Sequence, residues 1–423
     1  MSRVLVDRGK STKPATGSWN NTMAVGENSL AFNVVPGVRL ASATAGIKSN
    51  QTHDLVLFEF AKGSVTAGVF TQSLFAAAPV VLGKQHLEQA APRYFLINSG
   101  NANAGVGDAG LMDAGHCCSA LSQSGGVRPE EVIPFSTGVI GERLPVEKIT
   151  DQLELLVAEL SEDKWLDAAR GIMTTDTREK IASRTFDHNG ETIVITGIAK
   201  GSGMIQPNMA TLLSYVATNV SAVKQTLQAS LKRSVDLSFN RITVDSDTST
   251  NDSCMLTATG QTSASLVDET LLEKFQVELD ALMLELAQGI VRDAEGATKF
   301  IEVHVKGGQS MSDCSEIAYA IANSPLMKTA LFASDANWGR IVMAIGKADV
   351  QIDVRRLDVF LGAIQLMKNG QKDDAYTELA GAAVMAEEEI VITVDINAGN
   401  FETSVWTSDL SHEYVRINAE YRT

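Results

Sequence analysis

Five stretches of this 423-residue chain concentrate hydroxyl side chains, amides and glycine in a way that core packing does not require. They are Asn98 to Ala104, Ser136-Thr137-Gly138-Val139-Ile140-Gly141, Met173-Thr174-Thr175-Asp176-Thr177, Lys200-Gly201-Ser202-Gly203 running on to Thr211, and Asp245 to Asp252. Any one alone reads as a turn or a helix cap. Together they suggest a site where glycine lets backbone N–H groups come close enough to hold an oxyanion or a carboxylate. In the fourth stretch, Pro207 and Asn208 lead into Met209-Ala210-Thr211, and the apolar run Leu212 to Val216 reads as a buried strand or helix start. A threonine so placed becomes an activated nucleophile if its own nitrogen is freed, because an α-amine with a pKa of about 7.7–8.0 is a competent base at neutral pH. That requires cutting the chain between Ala210 and Thr211, and the small Ala210 leaves the scissile carbonyl open to the Thr211 hydroxyl. The plainer alternative makes Thr211 an ordinary β-branched residue at a strand edge.

Such groups need elements to hold them. Ile149, Leu153, Leu156, Val157 and Leu160 recur at helical spacing, as do Val223, Leu227, Leu231 and Val235, and the series from Leu272 through Phe275, Leu279, Leu282 and Leu286 to Ile290. These predict three amphipathic helices. Ile301, Val303 and Val305 alternate with polar residues, as do Val350, Ile352 and Val354, and Glu389 to Asn397 is rich in β-branched residues, so strands are expected there. Helices and strands mix without a regular βαβ period, which favours a layered α/β sandwich over a doubly wound sheet. Residues 1–28 carry few large apolar side chains and read as a flexible lead-in.

Other chemistries lack their residues. The Gly-Lys-Ser at Gly9 to Ser11 has Val4 where a phosphate-cradling loop needs glycine, and Gly201 and Gly203 lack the third glycine of a dinucleotide fingerprint. There is no HExxH and no GxSxG, and the six histidines are scattered, so neither a metal nor a resident cofactor is expected. A net charge of −16 opposes attraction to phosphate backbones and anionic lipid, so neither nucleic acid nor a membrane surface is an expected partner. The most apolar run, Leu74 to Gly83, contains Pro79 and falls far short of the roughly 20 residues that cross a bilayer. Cys117, Cys118, Cys254 and Cys314 form no CxxC pair, the N-terminus has no secretory signal pattern, and a cytoplasmic location is expected.

The run Lys200-Gly201-Ser202-Gly203-Met204-Ile205 with Pro207-Asn208-Met209-Ala210-Thr211-Leu212 resembles the cleavage and nucleophile motif of the ornithine acetyltransferase family, also called bifunctional glutamate N-acetyltransferase. The resemblance continues through Pro36-Gly37, Gly46-Ile47-Lys48, the Asn98, Ser136 and Gly171 to Thr177 stretches, Ser238 to Thr243, Glu295 to Lys299, Asn337 to Ile341 and Tyr414 to Thr423, in family order. It implies an αββα layered sandwich with a smaller C-terminal lobe from about residue 300, made as a self-cleaving precursor. Cleavage at Ala210–Thr211 would give an α chain 1–210 and a β chain 211–423, assembled as a heterotetramer of two α and two β chains. Thr211 would then take an acetyl group from N2-acetyl-L-ornithine and pass it to L-glutamate in arginine biosynthesis, with acetyl-CoA as a further donor left open. Thr137 and Gly138 match the oxyanion pair, and Thr174, Lys200, Thr211, Glu295, Asn418 and Thr423 match the substrate-binding positions. These residue types suit amino-acid substrates, with Lys200 for an α-carboxylate, Glu295 for a side-chain ammonium, and Asn418 with the Thr423 carboxylate for the remaining polar ends.

Four positions depart from the family pattern. Glu179 and Ala336 stand where proline is common, Ser246 where glycine is common and Asn219 where aspartate is common, which bears on loop rigidity and acceptor preference. Two further readings compete: an N-terminal-nucleophile aminopeptidase or acylase, in which water resolves the acyl-enzyme, and a non-catalytic amino-acid-binding protein that never cleaves.

Overall fold

The computed structural model describes residues 32–206 and 212–420. The lead-in 1–28, Ala210, Thr211 and Thr423 lie outside the described residues. Two sheets stack face to face. The first has the strand order Val38–Ala43, Leu55–Phe60, Tyr94–Asn101, Val132–Val139, with only the last pair parallel. The second runs Val65–Phe70, Ser253–Ala258, Leu213–Thr218, Glu191–Lys200, Lys180–His188, and its Ser253–Ala258 and Leu213–Thr218 strands are parallel. These two strands are buried at every residue because both sheet faces are covered.

Between the sheets Phe58, Phe95 and Phe135 of the first meet Tyr215 of the second, and Phe60 packs on Phe58 and Phe95, with centroids 4.7–6.2 Å apart and mostly tilted or edge-on. Each such ring contributes about 1.5–3 kcal/mol by leaving water, and offset pairs add about 0.5–1.5 kcal/mol. Helix Trp165–Gly171 packs on strands of both sheets and sets Trp165 edge-on against Phe58. Outside the first sheet lies helix Asp108–Gly125, with Cys117, Cys118 and Leu121 inward; outside the second lie helices Lys224–Leu237 and Glu269–Arg292. The Asp268 carboxylate caps the latter, accepting from the Thr270 and Leu271 N–H groups. The order is helix, sheet, sheet, helix, as expected.

A third sheet of seven strands is built mainly after Phe300, with Phe300–Gly308 between Glu389–Asp395 and Phe401–Ser408. It has its own core with helices Met311–Ala322, Pro325–Phe332, Trp338–Gly346 and Glu378–Met385.

Two local expectations fail. Val350 to Val354 is not a strand: the Asp353 carboxylate accepts from Arg355 N and starts a single tight turn, Val354–Arg356, leaving Val354 exposed. The helix expected from Ile149 to Leu160 is two short ones, Val146–Thr150 and Leu153–Ala158, because Gln152 N bonds to Ile149 O and closes the first early. Among the described residues no helix is long and apolar enough to cross a membrane, and no group of three or more metal-ligating side chains forms. The four cysteines are free and buried.

Candidate active site

Strand register brings the polar stretches to one end of the sandwich. Lys200 pairs with Leu213, and Leu213 with Ser253, in one row of the second sheet, so Gly201, Leu212 and Asp252 meet just beyond it. In the first sheet the pairing of Tyr94–Asn101 with Val132–Val139 shifts register after Gly100, beside Thr137 and Gly138. Gly138 has φ +132°, and a Cβ there would sit 2.3 Å from the Gly100 carbonyl carbon, so only glycine lets the two strand ends cross.

A cavity of about 260 Å³ opens at this end. It is lined by Thr137, Gly138, Thr174, Lys200, Glu295 and Asn418, every candidate residue that is described, and also by Leu212 and by Ser249 to Asp252. The Asn98 to Ala104 stretch acts as support: Ser136 Oγ donates to Asn98 Oδ1 (2.6 Å), and Asn251 Nδ2 donates to the Ala102 and Ser136 carbonyls (2.6 and 2.9 Å). These bonds pair the buried Ala102 and Ser136 carbonyls and tie together the segments beside Thr137.

Lys200 Nζ donates to Thr137 Oγ1 at 3.1 Å. An ammonium only donates, so this hydroxyl accepts from it and keeps its own proton for another acceptor. Burial lowers the Lys200 pKa below its usual 10.5, against the attraction of Asp176, Asp252 and Glu295. Asp252 is displaced the other way: burial raises its carboxyl well above the usual range, and Oδ2 has no hydrogen-bond partner among the described residues.

Glu295 is 8% exposed, its N–H donates to Ser202 O (2.9 Å), and Asn418 Nδ2 donates to its Oε2 (2.7 Å). Its carboxylate packs over Gly203, where a Cβ would lie 2.5 Å from Oε2. Any larger residue at 203 would push the carboxylate aside. Tyr414 OH donates to Asp245 Oδ2 (3.1 Å), and the same carboxylate takes the Met204 and Ile205 N–H groups, tying the C-terminal helix to the rim.

Sequence reasoning missed Lys180 and Asp293. Lys180 bridges the carboxylates of Asp176 and Asp293. A lysine on a strand and an aspartate at a helix end look like surface charges; the available signal was that Lys180 lies four residues beyond Asp176, and Asp293 two before Glu295.

The departures have local accounts. Asn219 accepts from Val194 N and donates to Thr192 O (both 2.9 Å), which an aspartate could not do at once. Glu179 pairs with Arg170, and Ser246 takes a left-handed φ of +66° that favours glycine. Nothing in the structure explains Ala336.

Compared with known protein families, residues 39–423 match the ArgJ family. The arginine biosynthesis bifunctional protein ArgJ of Pseudomonas syringae pv. tomato is 52% identical over 406 residues, covering 95% of this chain and 100% of that one. Its namesake in Methylococcus capsulatus is 49% identical, covering 92% of this chain and 96% of that one. Among solved structures, that of arginine biosynthesis bifunctional protein ArgJ from Bacillus halodurans is 37% identical with a TM-score of 0.47, covering 49% of this chain and 98% of that one. A family match over nearly the whole described chain, with relatives near half identity along their full length, makes this chain a member of the ArgJ family.

Proposed function

We propose that this enzyme moves an acetyl group from N2-acetyl-L-ornithine to L-glutamate, through an acetyl-enzyme on Thr211 formed after the chain has cut itself between Ala210 and Thr211. The observation that carries the reading is the convergence of Thr137, Gly138, Thr174, Lys200, Glu295 and Asn418, from distant parts of the chain, on one mixed-charge cavity. Its volume of about 260 Å³ suits an amino acid. Leu212, the residue bonded to Thr211, lines the same cavity.

In cleavage the Thr211 hydroxyl attacks the Ala210 carbonyl carbon, the peptide C–N bond breaks, and water releases the resulting ester, leaving a free Thr211 amine. In turnover that amine takes the hydroxyl proton as Thr211 attacks the acetyl carbonyl. The Thr137 hydroxyl and the Gly138 N–H face the oxygen that becomes negative. The amide bond breaks, and ornithine leaves with the proton on its nitrogen; the neutral amine of glutamate then attacks the acetyl ester, the ester C–O bond breaks, and the proton lost by the glutamate nitrogen returns by way of the Thr211 amine to the Thr211 oxygen, restoring the hydroxyl. Lys200 holds the α-carboxylate, Glu295 the ammonium of an ornithine side chain, and Asn418 with the Thr423 carboxylate the remaining polar ends.

The mature assembly in this reading is two α and two β chains in the cytoplasm, with no metal and no resident cofactor; acetyl-CoA is a second donor to be tried. Incubation with labelled acetylornithine tests the function. Acetylglutamate should accumulate only when glutamate is present. Free acetate released at the same rate with or without glutamate would instead make the enzyme a hydrolase of the aminopeptidase or acylase kind, and a protein that binds but releases nothing would be a binding protein.

A further inference from the structure

Three of the segments that carry proposed substrate-binding groups are the loop with Thr174, the strand end with Lys200, and the turn with Glu295 after helix Glu269–Arg292. One buried cation touches all three. The Lys180 ammonium contacts Asp176 Oδ1, Asp293 Oδ2 and the Gly201 carbonyl (3.1 Å for the last). The side chains of Lys180, Asp176 and Asp293 are only 3%, 0% and 2% exposed. Asp176, two residues after Thr174, accepts from Thr174 N (2.9 Å) and Gly201 N (2.8 Å). Asp293, two residues before Glu295, accepts from Thr177 N and Oγ1 and from Arg178 N. Asp176, Asp293 and Gly201 therefore each lie within two residues of Thr174, Glu295 or Lys200.

Buried ion pairs are poor stabilisers because desolvation offsets their attraction, but an incomplete one is costly, so such a group fixes an arrangement more than it adds stability. The charges facing Asp176 are Lys180, Lys200 and Lys48, with Arg178 also on Asp293. After Lys180 the cation that acts most strongly on Asp176 is Lys200, the group needed in the cavity.

We propose that Lys180 is a positioning residue: by holding Asp176, Asp293 and Gly201 together it sets the spacing of Thr174, Lys200 and Glu295, and by neutralising Asp176 it leaves the Lys200 ammonium free for a substrate carboxylate. The inference rests on the acetyl-transfer reading of the cavity. Lys180 touches no substrate.

The test compares wild type with Lys180→Met, the charge-balanced Lys180→Met/Asp293→Asn and the charge-keeping Lys180→Arg, each checked for folding by circular dichroism. In the folded charge-balanced variant, KM for glutamate should rise at least about tenfold while kcat changes much less, since a binding contact is lost and the chemistry is not. The high-pH limb of kcat/KM should move upward, because Asp176 now pairs with Lys200 and holds its proton longer. Lys180→Arg should recover part of the KM. A folded charge-balanced variant with wild-type KM and an unmoved limb would overturn the inference, as would loss of folding in all three, which would make the triad a stability element only. Failure of wild type to form acetylglutamate would instead sink the acetyl-transfer reading.

Discussion

Thr137 and Lys200 are one unit, because the ammonium occupies the Thr137 lone pair and leaves the hydroxyl proton for an oxyanion. A donor of this kind acts chiefly in the transition state, so Thr137→Ala should lower kcat by about 10²–10³-fold with little change in KM. Steady-state kinetics decides it, and an equal rise in KM with an unchanged kcat would move Thr137 to ground-state binding. Lys200 also sets a pH dependence. Its pKa lies below 10.5, so in the proposed mechanism the cation that holds a carboxylate is lost as pH rises through that lowered value, earlier than an exposed lysine would lose it. In the proposed mechanism the Thr211 amine must be neutral to act as base, which gives the opposite limb. The kcat/KM for glutamate should therefore be bell-shaped, its alkaline side falling about tenfold per pH unit and beginning below the usual lysine range. A profile flat up to 10.5 would contradict the assignment. At this scale much of the site was legible: glycine, threonine and asparagine crowd where backbone must approach a ligand. Lys180 was not, since a lysine on a strand gains its buried partners only from distant segments.

Among the elements, helix Glu269–Arg292 was legible because its apolar stripe faces one core. The strands Leu213–Thr218 and Ser253–Ala258 were less so, since burial on both faces removes the alternation that marks a half-buried strand. Sheet order was not legible at all, because it depends on pairings such as Thr66 with Thr257, whose hydroxyls meet at 3.0 Å across 191 residues. The loop after Ile242–Thr243 carries a cost the sequence did signal. Ser246 sits exposed at φ +66°, where an L residue is strained by roughly 1–2 kcal/mol and glycine is not. Part of that gain is lost to the greater unfolded-state entropy of glycine, so Ser246→Gly should raise stability by about 0.5–1 kcal/mol in urea denaturation. A destabilised variant would mean that the serine side chain makes a contact worth more than the strain.

Over the whole molecule, the lobe built on the third sheet holds a buried cation. Lys328 is 4% exposed, its Nζ donates to Thr407 Oγ1 (2.8 Å) and Ser408 O, and burial lowers its pKa to about 7 despite Asp409 and Asp245 nearby. Below about pH 7 the group is charged in the folded and the unfolded chain, and its burial penalty is present in full. Between about 7 and 10.5 the folded chain gives up the proton first, so this group adds stability as pH rises, by up to about 1.4 kcal/mol per pH unit. The stability of wild type relative to Lys328→Met should therefore climb across that window, and a difference independent of pH would show that the lysine keeps its ordinary pKa in the folded chain. The αββα order and the C-terminal lobe followed from the resemblance of motifs, whereas composition and periodicity alone reached only a layered α/β sandwich. All of these features serve one claim, that Thr211 becomes a chain terminus and carries the acetyl group. Intact-mass spectrometry of the purified enzyme mixed with acetylornithine tests it most directly. The expected result is two chains, residues 1–210 and 211–423, the second heavier by one acetyl group on Thr211 that disappears when glutamate is added. An active enzyme that remains a single uncut chain, or a 211–423 chain that never gains the acetyl group while turnover proceeds, would contradict it.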